Sequence, residues 1–167
     1  MRRRGRSLSF ISLAAALAAA TAVAPAHGEV AAALAPGTAS LSLRGGEGEA
    51  QIGGRGALLG RLEQGRLIVV GPVGRPEPEV AVRGARLVKK VRGRITVYQG
   101  EDLSFRIFGG RWRIRLVGAG IEVSAVVRGW LRLHGDGTFS VAEGPDQAWP
   151  TEWQLVRVAP PTFALTG

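Results

Sequence analysis

The sequence predicts an all-β protein: an antiparallel meander of about nine strands, rolled into a barrel or sandwich, behind an N-terminal signal helix. Three observations carry that expectation. Apolar residues alternate from Arg94 to Ala142, with Ile95, Val97, Leu103, Phe105 and Ile107 on one parity and Trp112, Ile114 and Leu116 on the other. The parity returns at Ile121, Val123, Ala125, Val127, Leu131 and Leu133, and each flip falls on glycines, Gly109-Gly110 and Gly118-Ala119-Gly120. Such alternation marks strands with one buried and one wet face. Glycine is abundant, 25 of 167 residues, as a chain that turns often requires.

The first segment reads as an export signal. Arg2, Arg3, Arg4 and Arg6 precede an uncharged Ala/Leu-rich stretch from Leu8 to Val23, and Ala24-Pro25-Ala26 offers a small-residue cleavage site. The stretch is short for a membrane span of about 20 residues, and no later segment is apolar enough to span. Cleavage after residue 26 leaves a chain starting at His27. Its net charge falls from +9 to +5, because four arginines and no acids leave with the signal. Residues 27–38 are an Ala-rich flexible lead-in, 39–158 form a single all-β domain, and 159–167 are a C-terminal tail. The expected location is therefore periplasm, cell envelope or extracellular space.

The strands follow in order. Ala39 to Leu43 is a first short strand, and Arg44 to Gly56 is a Gly-rich connection. Ala57–Leu62 and Arg66–Val70 suit a hairpin with Leu62 facing Leu67 and Glu63 facing Arg66. Gly71 to Glu79 holds Pro72, Pro76 and Pro78, which excludes it from a sheet interior. Val80 to Val91 holds one or two strands. Within the alternating run, a two-residue turn at Gly109-Gly110 would set Ile107 against Trp112, Phe105 against Ile114 and Leu103 against Leu116. A turn at Gly118-Ala119 would set Leu116 against Ile121, Ile114 against Val123 and Arg115 against Glu122. A three-residue loop at Gly135-Asp136-Gly137 would set Leu133 against Phe139 and Leu131 against Val141. Glu152 to Val158 is a last strand, ended by Pro160-Pro161.

The run Gly100, Asp102-Leu103, Phe105-Arg106, Gly110, Arg113, Gly118-x-Gly120-Ile121, Ser124-Ala125 and Gly129 resembles a group of exported, Gly-rich all-β proteins of high-GC bacteria. The likeness covers about residues 45–142. That group has no assigned activity, so the resemblance implies fold and location only.

No constellation for catalysis or metal binding stands out. The absence of cysteine excludes disulfides, thiolate metal sites and a cysteine nucleophile. His134 and Asp136 could supply two metal ligands, one short of the usual minimum, and the only other histidine is His27. Ser104, Ser124 and Ser140 fall on the wet parity and lack the sharp elbow of a nucleophilic serine. Glu101 and Asp102 read as solvated loop acids. No cofactor is expected. A nucleic-acid-binding barrel would need exposed aromatics on a basic face, and only Trp130 and Tyr98 fall near one, so no nucleic acid is expected as partner.

The best functional feature is a basic strip. The hairpin register would align Arg94, Arg106 and Arg113 across three strands, with Arg111 and Arg115 beside them. Like charges directly opposite are destabilising, so such a row calls for interleaved acids, solvent screening or an anionic partner. The sequence therefore points to a non-enzymatic binding or scaffolding module whose partner is an anionic envelope polymer or an envelope protein. The alternative is a small hydrolase using carboxylates such as Asp102 and Glu122, which would have to converge in a deep pocket.

Overall fold

The computed structural model describes residues 37–71, 75–91 and 93–160. The expected signal at 1–26, nearly all of the lead-in and the tail from residue 161 lie outside the described residues. The described chain is all-β and antiparallel. Its five strands are β1 (Ala39–Val70), β2 (Glu79–Val91), β3 (Ile95–Val141), β4 (Gln147–Ala148) and β5 (Gln154–Val158). The sheet order is β1–β3–β2, with β4 and β5 paired to β3, and the sheet is not closed.

The buried face is the one the alternation predicts. Leu103, Phe105, Ile107, Trp112, Ile114, Leu116, Ile121, Val123, Ala125, Val127, Leu131 and Leu133 all lie in one core with Leu41, Leu43, Ile52, Leu58, Leu62 and Leu67. Ile95 and Val97, near the β2 edge, are only half-buried.

The register differs from the predicted meander. None of the hairpins expected within Ala57–Val70 or Leu103–Val141 forms. Leu62 faces Leu103 rather than Leu67, Phe105 faces Gly60 and Val82 rather than Ile114, and Leu133 faces Ala50 rather than Phe139. Arg115 faces Gln51 and Ile68, while Glu122 faces Arg61. The stretch 44–56, expected as a connection, is part of β1. As expected, Pro76 and Pro78 lie outside the strands, since β1 ends at Val70 and β2 starts at Glu79; residues 72–74 lie outside the described residues.

What replaces the meander is a coiled antiparallel ribbon. β1 is flanked by β3 on both edges: Ile52 pairs with Ile114 and with Leu131, and Leu43 pairs with Val123 and with Phe139. Ile114 in turn pairs with Val69 as well as Ile52. One set of neighbouring passes is thus 65–70, 111–118, 48–56 and 128–135, with β5 beside the last. The other is 103–108, 57–62, 121–127, 39–44 and 138–141.

Glycines set the bends between the two sets. Gly100, Gly65, Gly118, Gly48 and Gly135 pair in series, one on each neighbouring pass. A Cβ on Gly118 would stand 2.0 Å from the Gln64 carbonyl oxygen, and one on Gly65 would stand 2.2 Å from that of Val117. Backbones meet there too closely for any side chain, and φ near +150° at both positions favours glycine as well. The parity flip at Gly109-Gly110 is a bulge of the same kind. Arg55 faces Arg111 but Ala57 faces Phe108, so two steps along β1 match three along β3. A bulge reverses parity as a hairpin does, and periodicity alone cannot separate the two.

Candidate functional site

Three neighbouring passes of the ribbon carry arginine at one row. Arg55 pairs with Arg111 on one edge and Arg128 on the other. Directly paired residues project from the same face, so at a strand spacing of ~4.8 Å these three cations form a line about 10 Å long. Two residues along, on the same face, Gly53 lies between Arg113 and Trp130, and Trp130 pairs with Arg157 of β5.

The local sequence explains the shape. A Cβ on Gly53 would lie 2.6 Å from the Trp130 indole, so glycine lets that ring lie down on the β1 backbone. The Arg113 guanidinium sits 5.5 Å from the centre of the same ring, a cation–π contact that limits its wandering. On the core face Gly54 lies between Trp112 and Gly129, where a Cβ would stand 2.6 Å from the Arg128 carbonyl oxygen and the backbones approach closely. The result is an open cleft of about 830 Å³ lined by Gly53, Gly54, Gly56, Gly129, Trp112, Trp130 and four arginines, Arg55, Arg111, Arg113 and Arg128. It adjoins a recess that shares Arg55 and Arg111 and adds Arg75. On the other side another recess shares Arg128 and adds Arg157.

Among the described residues no Asp or Glu lines any of these three spaces. Elsewhere, Arg44, Arg61, Arg86, Arg106 and Arg115 reach Asp146, Asp102, Glu101, Glu79 and Glu49 at 2.5–3.6 Å. Among the described residues the cleft arginines have no such partner. On the opposite, core face of the same strand Trp112 is 1% exposed, and among the described residues its Nε1–H meets no acceptor. A buried indole N–H without a partner is uncommon and costly.

The structure divides the strip expected from sequence. Arg111 and Arg113 line the cleft. Arg106 lies on the other set of passes, opposite Leu59 and Ala81, and pairs with Glu79 at 3.6 Å. Arg94 sits in the turn before β3, where its carbonyl accepts from the Gly71 N–H. Arg115 is committed to Glu49. The row Arg94–Arg106–Arg113 does not exist, because it required the hairpins that the coiled register replaces. Sequence reasoning missed Arg55, Arg128, Arg75 and Arg157. The available signal was the spacing of Arg111-Trp112-Arg113 and Arg128-Gly129-Trp130, which lie seventeen residues apart, one turn of the ribbon.

Farther along the same face is a neutralised counterpart. Glu49, 7% exposed, takes hydrogen bonds from Arg115 (2.6 Å) and Gln51 (2.9 Å). Burial works against its charge, but those two bonds and the attraction of Arg115 and His134 outweigh it and hold the carboxyl below the usual glutamate range. His134 lies across from Glu49 and meets the Trp153 ring edge-on at 4.1 Å between centroids. His134 and the serines Ser104, Ser124 and Ser140 belong to different sets of passes. Among the described residues no three His, Cys, Asp or Glu side chains gather where a metal could sit. Asp102 accepts from Arg61 at 2.9 Å, and Glu122 pairs with that same arginine across the strands. Neither acid lines the clefts described above.

The chain matches no family model, no curated protein and no solved structure.

Proposed function

We propose that this chain is a non-enzymatic binding or scaffolding module of the cell envelope or extracellular space, exported by its first 26 residues, and that it engages an anionic polymer or an acidic envelope protein through the arginine cleft. The observation that carries this reading is Arg111, Arg55 and Arg128 side by side with no carboxylate among them. Opposed like charges cost stability, and five arginines elsewhere have acids to offset theirs. A polyanion laid in the cleft supplies the missing counter-charge. The reading takes the coiled ribbon as a two-layered sandwich rather than a barrel, since both sets of passes contribute to one core and β2 and β5 leave open edges.

Retention on an anionic polysaccharide column tests the reading. Wild type should elute at higher salt than Arg55→Gln/Arg111→Gln, and Arg106→Gln should elute with wild type. Elution of all three proteins together, at any salt concentration, contradicts it.

A further inference from the structure

We infer that the cleft seats a tetrahedral oxyanion, a sulfate or phosphate ester carried on a glycan, in preference to a carboxylate. This rests on the anion-binding reading above and narrows it to a chemical class.

The donors set the class. Three guanidinium groups on adjacent strands line one cleft, each with a fork of N–H donors, and Arg113 is held beside them by Trp130. A carboxylate offers two oxygens and satisfies one fork well. A sulfate or phosphate ester offers three terminal oxygens and accepts from several forks at once. The cleft also extends beyond one ion. From Arg111 across Arg55 and Arg128 to Arg157 it crosses four neighbouring strands, about 14 Å at ~4.8 Å per step.

The lining favours a glycan over a lipid surface or a nucleic acid. None of the exposed large apolar residues, Leu59, Leu87, Val88, Phe108, Trp153 and Leu155, lines the cleft, so nothing there inserts into a bilayer. Its one indole, Trp130, is unsuited to stacking bases, because it lies on Gly53 with Arg113 against its ring.

The experiment measures binding of dextran sulfate, polygalacturonate, neutral dextran and phosphatidylglycerol vesicles to wild type and to Arg55→Lys. The lysine variant keeps the charge on an exposed side chain and removes only the fork. Dextran sulfate should bind wild type more tightly than polygalacturonate. Arg55→Lys should lose on the order of tenfold for dextran sulfate and about twofold or less for polygalacturonate. Inorganic sulfate should compete with dextran sulfate. Equal affinity for the two polymers, or equal loss in Arg55→Lys, overturns the oxyanion preference while leaving the anion-binding reading intact. Binding to vesicles without binding to dextran sulfate overturns the glycan. Failure of both polymers to bind removes the anion-binding reading itself.

Discussion

The same three passes of the ribbon, 111–118, 48–56 and 128–135, carry two polar clusters on one face, and the clusters solve opposite problems. At one end Arg115 meets Glu49, Gln51 donates to the same carboxylate, and Arg132 lies over the Trp153 ring at 4.7 Å. At the other end Arg111, Arg55 and Arg128 face one another over glycine. Strand spacing and the core beneath are shared. The difference is one acid: β1 carries Glu49 at the first row and Arg55 at the last. The first cluster is complete within the chain, and the second is not. That asymmetry is what the proposed anion-binding role of the arginine cleft rests on.

Substitutions at three positions separate the shared scaffold from the two clusters. The largest effect belongs to the row Val69–Ile114–Ile52–Leu131, which lies beneath both. Ile114 is fully buried, and Ile114→Ala should cost about 2–5 kcal/mol through lost burial and a residual cavity. Urea denaturation measures it, and a cost below about 0.5 kcal/mol would show that the two ends do not share this core.

Glu49→Ala should cost less, about 1–3 kcal/mol, by leaving half-exposed Arg115 and the Gln51 amide without their acceptor. It should also change the pH dependence. The folded-state pKa of Glu49 is depressed, so its contribution is fully present above the unfolded-state value and is lost as pH falls through the folded one. The gap in melting temperature between wild type and Glu49→Gln should therefore narrow steadily from about pH 5 downward. A constant gap down to pH 2 would mean that the Glu49 charge contributes nothing.

Arg55→Gln should have the smallest effect on folding, within about 0.5 kcal/mol and in the stabilising direction, because it removes opposed like charges from an exposed row. Matched denaturation curves measure it. A clear loss of stability would show that Arg55 is a structural partner rather than an uncompensated cation.

The contrast also shows what was legible in the sequence. Which residues are buried could be read directly, because alternation depends only on the two faces of a strand. Partners could not. A Gly-rich parity flip reads most simply as a hairpin, the shortest loop available, yet Gly109-Gly110 is a bulge and Gly118 a bend that carries the strand onward. The recurrence of Gly48 at Gly65 and of Gly118 at Gly135, seventeen residues each time, was the clue to coiling. Arg111 and Arg113 could be placed on the wet face of a clean alternating run, but the row that made them candidates rested on a hairpin register that does not form. Arg55 could not be placed, since it sits in a Gly-rich stretch that reads as a loop, and its place beside Arg111 depends on a pairing between residues far apart in the chain.

The most direct test of the central claim, that the uncompensated row and not basic charge in general binds anions, is the salt dependence of binding. Affinity for an anionic polysaccharide should be measured over a range of salt for wild type, Arg55→Gln/Arg128→Gln and Arg115→Gln. The account predicts that the double variant binds more weakly, with a log–log slope shallower by about one unit per arginine removed, because fewer counter-ions are released. Arg115→Gln should keep the wild-type slope, its charge being already matched by Glu49. Equal flattening in both variants, or in neither, would contradict the account.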